Sequence, residues 1–358
     1  MTFDVVKLNS IKGQEKYQSL LSLYDNIEPY YLIDFIDVFG EGMNNLICYY
    51  LDSTNKEPII LVGYLKPTRI NDDNKITYDF ITPYGYNGPL YSKNITKLEV
   101  REFWNYVDQW NKDNNVISEF VRFDLFGNQR YYNGEVYPTM LNVKGKILNE
   151  DSQWNSFDRK VRKNVNRAKR ENLTCKVNYG IFEDTVIEEF YSIYIDTMKR
   201  TNAQDKFFYT IEGFKKFIYN NPSYCAICNI YFSNVCVSSE LLLVSKESVY
   251  SFLGGTDPNY FDKRPNDYLK YEVINWARSE MKLYYVLGGG YGYEDGIFKY
   301  KKCFFPNDVV QYSTGRKIID KDEYVKLLAQ VNKLRVNANK EKLNLDDDSF
   351  FPLYNKLD

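Results

Sequence analysis

The stretch of sequence that decides the fold is residues 224–290, which read YCAICNIYFSNVCVSSELLLVSKESVYSFLGGTDPNYFDKRPNDYLKYEVINWARSEMKLYYVLGGG. Runs of apolar, β-branched and aromatic residues predict three consecutive strands, and glycine, proline and asparagine then mark a turn-rich connection. A helix with one apolar face follows, and a short strand ends in three glycines. The predicted elements are, in order, strands at 224–231, 235–244 and 248–253, turns at 254–259 and 264–266, a helix at 267–281 and a strand at 283–287.

The same order of elements is predicted earlier in the chain, without obvious residue identity. Periodicity predicts a strand at 3–8, helices at 14–23 and 31–39, strands at 46–52, 58–66 and 76–81, a turn-rich segment at 82–89, a helix at 96–111 and a strand at 116–124. Between the two segments it predicts a strand at 173–179 and helices at 184–201 and 211–219. One order found twice indicates a duplicated α/β fold.

This duplication predicts two tandem domains, residues 1–150 and 151–320, each a mixed central sheet flanked by helices. Residues 127–150 are expected to form an interdomain region. Residues 321–358 are expected to form a C-terminal helix, near 321–343, and a tail. The apolar stripe of that helix consists of Tyr324, Leu327, Leu328, Val331 and Leu334, so packing against the body is its simplest role.

Composition restricts the chemistry. The 358 residues include 46 basic and 48 acidic side chains and no histidine, which gives a formal net charge of −2. Without imidazole, Ser-His-Asp and Cys-His nucleophile pairs and histidine-ligated zinc are excluded. A general base must be a carboxylate, a perturbed lysine, cysteine or tyrosine, or a group of the substrate. No repeated acidic motif predicts a metal site.

The sequence predicts a cytoplasmic protein without a transmembrane segment. It begins with no basic region followed by an apolar one, and no apolar run approaches the ~20 residues that a membrane helix needs. Six scattered cysteines do not make a disulfide framework and suit a reducing compartment. Cys225 and Cys228 have CxxC spacing but lie in an apolar strand, so we expect them to pack in the core.

The most polarised segment is a predicted helix at 159–170, where seven cations occur with no acid between them. Its apolar residues share one face, so the cations cover the other. Such a pattern is ordinarily a solvated helix face. It also creates a local positive field, so Arg159, Arg162 and Lys163 are candidate phosphate contacts. An isoelectric point near 5.6 argues against extended nucleic-acid binding, and DNA is not an expected partner.

Two segments that combine glycine with tyrosine are candidate substrate contacts. At residues 287–293, backbone N–H groups can approach a ligand because no Cβ intervenes, although a tight turn explains the glycines equally well. The restricted loop at 83–89 suits sugar or nucleoside recognition, or interdomain packing. The candidates are Gly288, Gly289, Gly290 and Tyr291 in the first segment and Tyr84, Tyr86 and Asn87 in the second. Carboxylates on or after predicted strands, such as Asp124 and Glu240, have no spacing that assigns them a role.

Five strings in register resemble the Fem-type branch of the GNAT acyltransferase superfamily. That branch includes the lipid II amino-acid transferases and GNAT-like proteins of envelope polysaccharide pathways. The strings are YDFITPYGYNGP at 78–89, SEFVRF at 118–123, FYSIYIDTMKR at 190–200, LGGG at 287–290 and FKYKKCF at 298–304. The resemblance covers roughly residues 46–306 and implies two tandem GNAT-like domains, which agrees with the element order predicted twice.

The resemblance also implies acyl transfer to an amine through an oxyanion, promoted by positioning and by donors aimed at the developing charge. Fem-type proteins have an aromatic–lysine pair near the reacting ester, and Tyr300 and Lys301 match it. Lys301 is therefore the leading candidate to stabilise the oxyanion or the leaving group. The matched strings make Arg122 and Arg200 candidate substrate contacts. Asp124 stands where relatives commonly have histidine, so it is either inessential or takes the role of base.

The predicted function is N-acyl transfer to an amine of a small-molecule or lipid-linked amino sugar or other precursor of a bacterial cell envelope or polysaccharide. A lipid-linked substrate would bring the protein to the membrane periphery. Acetyl-CoA or another acyl-CoA is the expected donor, although the Q/RxxGxG/A pyrophosphate loop is missing. The alternative donor is aminoacyl-tRNA, which would contact residues 159–170; no long coiled-coil arm supports it. A catalytically silent GNAT-like module that binds a saccharide or a protein is the alternative of another class.

Overall fold

The computed structural model describes residues 2–53, 57–68 and 76–356. The strands are β1 (Phe3–Lys7), β2 (Leu46–Leu51), β3 (Ile59–Pro67), β4 (Tyr78–Ile81), β5 (Val116–Arg122), β6 (Glu135–Lys146), β7 (Thr174–Tyr179), β8 (Cys225–Phe232), β9 (Val235–Val244), β10 (Ser248–Thr256), β11 (Tyr284–Gly288) and β12 (Val309–Ile318). The α-helices are α1 (Ile11–Leu21), α2 (Ile33–Phe39), α3 (Lys97–Asp113), α4 (Glu150–Ser156), α5 (Arg159–Arg170), α6 (Asp184–Arg200), α7 (Ile211–Asn220), α8 (Pro265–Ser279), α9 (Gly296–Lys302) and α10 (Lys321–Asn337).

The chain packs as two compact units. Unit 1 comprises the described parts of residues 1–25, 40–139 and 312–358, and unit 2 comprises residues 26–39 and 140–311. The domain boundaries expected from the sequence, after residues 150 and 320, stay a prediction. In both units the elements form because apolar strands and helix faces are buried against each other, as periodicity predicts.

The sheet of unit 1 has the strand order β1-β2-β3-β4-β5-β12. Its neighbouring strands are antiparallel except for the parallel pair β4 and β5. Strand β2 is buried along its whole length, and α3 covers the sheet with Val100, Phe103, Trp104 and Val107. A capping box at Thr96 and Glu99 fixes the start of α3, where the Thr96 side chain accepts from the Glu99 N–H.

The sheet of unit 2 has the order β6-β11-β10-β9-β8-β7. Only β10 and β11 are parallel, and every other neighbouring pair is antiparallel. Counted from β1 in unit 1 and from β7 in unit 2, both sheets thus show three antiparallel pairs, one parallel pair and a final antiparallel pair. This shared pattern confirms the prediction of two α/β domains, each with a mixed sheet flanked by helices.

Three features differ from the sequence-based expectation. Residues 127–150, expected between domains, contain the long strand β6, whose Pro138 and Gly145 obscure the pattern of a strand. Residues 254–256, expected as a turn, continue β10 and pair with β9. Glycine is needed there because a Cβ on Gly255 would lie 2.1 Å from Thr197 Oγ1. Helix α9 and strand β12 were not predicted.

The C-terminal helix α10 packs on unit 1 as expected. Tyr324, Leu327, Leu328 and Val331 are buried with Leu353 and Tyr354. Leu334, expected on the same stripe, is 54% exposed, whereas the next residue, Arg335, is buried. All six cysteines are free, and Cys225 and Cys228 are buried in β8. Among the described residues no helix is both long and apolar enough to span a bilayer.

Candidate active site

The parallel strands of unit 2 separate near their carboxyl ends. Strands β10 and β11 pair only from Ser248 opposite Tyr284 to Tyr250 opposite Val286. Beyond that point β10 continues to Thr256 on β9, and the register shifts between Ser251 and Leu253. Such a bulge bends a strand and increases its twist. The two strands therefore part just where the bulge occurs.

A cavity of about 630 Å³ lies at this opening. Strand β10 contributes Ser251, Phe252 and residues 254–256, and α6 contributes Thr197 and Arg200. The beginning of α8 and the helix α9 complete the wall. The volume suits a small-molecule or cofactor fragment. The cavity brings together three of the residues expected from the sequence, namely Arg200, Tyr300 and Lys301.

Lys301 reaches the cavity from α9. Its Nζ donates a hydrogen bond to the carbonyl oxygen of Gly289 at 2.7 Å. Burial and, to a smaller extent, the positive charge of Lys270 lower the pKa of Lys301 to about 8, against the opposing effects of Glu240 and Asp295. Because the ammonium group has three donors, those not used by Gly289 can serve a ligand. Lys301 is thus a cation whose charge depends on pH near neutrality.

Glu240 and Lys270 form a buried ion pair in the wall of the same cavity. Their Nζ and Oε1 atoms are 2.5 Å apart, and both side chains are less than a tenth exposed. Lys270 also donates to Ser251 Oγ at 2.9 Å, and Tyr285 donates its hydroxyl to Glu240 Oε2 at 3.0 Å. Every charged group of this cluster therefore has a partner, as buried charges require.

Tyr300 is held in place from the start of α8. Asn266 Nδ2 donates to the Tyr300 hydroxyl at 2.9 Å, and the Tyr300 ring lies edge-on to Phe304. Burial raises the pKa of Tyr300, so its hydroxyl stays protonated at neutral pH. Arg200 lies with its guanidinium 5.3 Å from the ring centre of Phe261. Tyr300 can shape the cavity and donate a hydrogen bond, whereas Arg200 offers a positive charge.

The three glycines at the end of β11, Gly288, Gly289 and Gly290, support Lys301. Gly288 has a φ of +74°, and a Cβ on Gly290 would lie 1.9 Å from Asp295 Oδ1. The Asp295 carboxylate accepts from the N–H groups of Tyr291 at 2.7 Å and Phe298 at 2.8 Å, which lowers its pKa. This loop fixes the start of α9 and the Gly289 carbonyl. Tyr291 itself is 81% exposed.

The remaining expected substrate contacts form a cluster in unit 1. The N–H of Arg122 donates to Thr82 Oγ1 at 2.8 Å, and Asn87 Nδ2 donates to the Tyr84 carbonyl at 3.0 Å. Tyr86 packs edge-on against Tyr312. The parallel pair of unit 1 stays joined beyond β4, because the N–H of Thr82 donates to the Phe120 carbonyl at 3.1 Å. Unit 1 therefore lacks, in its described residues, the opening found between β10 and β11.

Asp124 stabilises a loop. Its Oδ1 accepts from the N–H groups of Phe126, Gly127 and Asn128 at 2.7, 2.9 and 3.2 Å. Asn128 in turn donates to the carbonyl oxygens of Asn87 and Pro89. A role of Asp124 as catalytic base stays a prediction.

The cationic helix α5 belongs to unit 2. Arg159 and Lys163 are exposed. Arg162 directs its Nη1 to the carbonyl oxygens of Asn155 and Phe157 at 3.1 and 2.6 Å, so it caps the preceding turn. Asn164 donates to Asp267 Oδ1 at 3.0 Å and thereby joins α5 to α8. Phosphate binding by Arg159, Arg162 and Lys163 stays a prediction. Arg159 and Lys163 are more exposed to a ligand than Arg162 is.

Most polar residues of the cavity were not predicted: Glu240 was named only as a carboxylate without an assigned role, and Lys270 was not named. Lys270 follows Leu269 on the buried face of α8, where a lysine is unusual, and Glu240 lies inside the apolar strand β9. Each residue alone is a signal of a buried charge. Their pairing depends on strands and a helix that are 30 residues apart in sequence, which no local pattern indicates.

Comparisons with known proteins agree with this architecture. Residues 159–302 match the family model described as an acetyltransferase (GNAT) domain, which runs from α5 to α9 and contains the cavity. A crystal structure of FemX has a TM-score of 0.60 at 12% identity, covering 91% of this chain and 99% of FemX. A search of curated proteins found no match.

Two further solved structures have the same fold. The C-terminal domain of a putative lysylphosphatidylglycerol synthetase from Agrobacterium fabrum has a TM-score of 0.60 at 10% identity, covering 89% of this chain and 96% of that domain. L-PGS from Bacillus licheniformis has a TM-score of 0.55 at 10% identity, covering 87% and 94%. The predictions of two GNAT-like domains and of an acyltransferase are confirmed. Residues 159–302 thus match a GNAT acetyltransferase domain, and the chain has the same fold as FemX.

Proposed function

We propose that this protein is an N-acyltransferase that moves an acyl group, with acetyl-CoA as the leading donor, to an amino group of an amino-sugar or other cell-envelope precursor. The observation that carries the proposal is the cavity at the separation of β10 and β11, with Lys301 in its wall. The family-model match over the same elements supports an acyl group as the one transferred. The similar fold of a putative lysylphosphatidylglycerol synthetase, an enzyme named for a lipid product, supports a lipid-linked acceptor.

In the proposed reaction the acceptor amine attacks the carbonyl carbon of the donor thioester. The carbon–nitrogen bond forms and the carbonyl oxygen becomes an oxyanion. The nitrogen then releases a proton, the carbon–oxygen double bond re-forms, and the carbon–sulfur bond breaks as the thiolate leaves and takes up a proton, which gives an amide and a thiol. Lys301 donates to the oxyanion, and its bond to Gly289 O holds the ammonium in place before the reaction. A donor fixed in advance costs no reorganisation at the transition state.

Strand β10 offers a place for the donor. From Ser251 to Thr256 it pairs with β9 alone, so its other edge borders the cavity. Phe252, Phe261 and Ile297 add apolar surface. An extended amide-containing chain, such as the pantetheine arm of CoA, can pair with an open strand edge while its acyl end enters the cavity.

One feature of α8 favours aminoacyl-tRNA as a second candidate donor. Helix N-termini attract phosphate through their N–H groups. At the start of α8, however, Pro265 has no N–H and the buried carboxylate of Asp267 already supplies negative charge. The start of α8 is thus a less favourable binding site for the CoA diphosphate than a helix N-terminus with free N–H groups. The exposed cations of α5, in contrast, suit a nucleic-acid backbone.

Thermal unfolding with candidate ligands distinguishes these donors. We expect acetyl-CoA to raise Tm and a UDP-linked amino sugar to raise it further when both are present, because ligands that bind only the folded state stabilise it by mass action. Aminoacyl-tRNA retention is measured in parallel over a salt series, since phosphate contacts give a steep dependence on salt. If aminoacyl-tRNA is retained at low salt and acetyl-CoA does not raise Tm, aminoacyl-tRNA replaces acetyl-CoA as the proposed donor.

The pH dependence of the reaction should follow Lys301. As an oxyanion donor Lys301 must be protonated, so with its pKa at about 8 we expect kcat/KM to fall as the pH rises through 8. Arginine stays protonated throughout this range, so a Lys301→Arg variant that retains activity should lose this alkaline decline. A rate that instead rises through pH 8 and is abolished in Lys301→Arg would make Lys301 a general base.

A further inference from the structure

The cavity contains a second lysine and a glutamate that the acyl-transfer step does not use. Lys270, on α8, pairs with Glu240, on β9, at 2.5 Å, and Tyr285 and Ser251 hold the pair from two sides. Glu240, Lys270 and Ser251 line the same cavity as Lys301. Burying an ion pair costs desolvation energy, and a hydrophobic pair of similar volume often serves folding as well. Stability of the fold therefore does not by itself account for this pair.

Several elements bring charged groups to the cavity around Lys301, among them α6 with Arg200. Glu240 and Lys270 lie on β9 and α8, Asp295 precedes α9, and the beginning of α8 adds Arg264 and Asp267. Of these, Lys270 lowers the pKa of Lys301, and Glu240 and Asp295 raise it. Asp295 is already committed to backbone N–H groups. The balance at Lys301 therefore depends mainly on Glu240 and Lys270.

We propose that Glu240 and Lys270 are positioning residues that act on Lys301 as a balanced pair of opposite charges, and thereby leave Lys301 protonated yet unpaired for the reacting carbonyl. The inference rests on the proposed function of Lys301. With Glu240 alone, its negative charge would attract the Lys301 ammonium without opposition and compete with an oxyanion for it. With Lys270 alone, a second buried cation would drive the proton from Lys301. In the closed pair, Lys301 keeps a single side-chain hydrogen bond among the described residues, to the Gly289 carbonyl.

The two members of the pair should therefore act in opposite directions. Removing Lys270 takes away a repelling charge and exposes Lys301 to Glu240, so the proton on Lys301 is held more tightly. Removing the charge of Glu240 takes away the attraction and leaves Lys270 unopposed, so the proton is lost more easily. A purely structural role would loosen the cavity in both cases and would not give opposite signs.

The test measures the proton on Lys301 directly. The folded protein is labelled briefly with acetic anhydride over a pH series, and the modified fraction of Lys301 is read by peptide mass spectrometry, with exposed Lys299 and Lys302 as references in the same sample. The variants are Glu240→Gln, Lys270→Met, Lys270→Arg and the double variant E240Q/K270M. We expect the Lys301 midpoint, about 8 in the wild type, to rise by about one pH unit or more in Lys270→Met and to fall by about one unit or more in Glu240→Gln.

The double variant and Lys270→Arg should stay near the wild-type midpoint, because one removes both charges and the other keeps them. The double variant also guards against misfolding, since it leaves no buried charge unpaired. Midpoints that do not move, or that move in the same direction in both single variants, overturn the proposal. If the midpoints move as expected but no donor is turned over by the wild type, the charge balance stands and the proposed function falls.

Discussion

Replacing Lys301 with alanine should lower kcat/KM for acyl transfer by ~10²-fold or more, because the variant loses a donor aimed at the oxyanion. Lys301 is the one lysine of α9 that lines the cavity among the described residues, with its Nζ 2.7 Å from the Gly289 carbonyl. The loss should appear in kcat as well as in kcat/KM, since an interaction made only in the transition state lowers both. Steady-state rates with saturating acceptor measure it.

The matched control is Lys302→Ala, which removes the next lysine of the same helix. Lys302 is exposed, so its loss should leave kcat within about twofold of the wild type. Unchanged turnover by Lys301→Ala would contradict the proposed role of Lys301. Wild-type binding of a saccharide or protein partner that also survives Lys301→Ala, without turnover of any donor, would favour a catalytically silent module.

The largest effect on stability should come from Lys317→Met in unit 1. Lys317 Nζ lies 2.6 Å from Asp108 Oδ1 and 3.3 Å from Oε1 of the fully buried Glu119. Glu119 also accepts from the Tyr132 hydroxyl at 2.8 Å. Removing Lys317 leaves Glu119 buried without a counter-charge, which typically costs about 3–5 kcal/mol of unfolding free energy. Equilibrium urea unfolding measures the loss.

The loss should depend on pH with a definite sign. Burial already raises the pKa of Glu119, and Lys317 opposes that rise. Without Lys317 the pKa of Glu119 in the folded state rises further above its unfolded value, so the penalty is largest at neutral pH and shrinks as Glu119 takes a proton at lower pH. The double variant Glu119→Gln/Lys317→Met should recover part of the stability at neutral pH.

A control for this prediction is Lys326→Met on α10. Lys326 forms an exposed ion pair with Glu323 at 3.3 Å, and such pairs contribute about 0–1 kcal/mol. A Lys317→Met variant no less stable than Lys326→Met, with the same loss at every pH, would mean that Glu119 does not depend on Lys317.

The contrast between Glu119 and Glu240 shows how far sequence reasoning reaches. Both glutamates lie inside apolar strands, and in both cases the pattern indicates a buried charge that needs a partner. The partners, Lys317 and Lys270, come from other elements. Only the packing distinguishes a glutamate in a closed polar cluster of unit 1 from one in the wall of a cavity in unit 2.

The glycines at the ends of β10 and β11 also differ in what their sequence indicates. Both groups look like turns in the sequence, because glycine permits unusual backbone angles. Residues 254–256 are instead a strand, where Gly255 allows α6 to pack closely. Gly288, with a φ of +74°, does turn the chain, and the carbonyl of Gly289 then receives Lys301. Local sequence indicates the glycine, but neighbouring elements decide which of its properties is used.

The sequence by itself determined the repeated order of strands and helices and, through the absence of histidine, which kinds of catalysis are excluded. Periodicity and composition are local or global properties of the chain, so they can be read without coordinates. Tertiary structure alone decided that the parallel strands separate in unit 2 and stay joined in unit 1, and that Lys301 lies in a cavity with Glu240 and Lys270. A cavity, and the balance of charges within it, arises from contacts between residues distant in sequence, whose energies depend on burial and distance rather than on residue order.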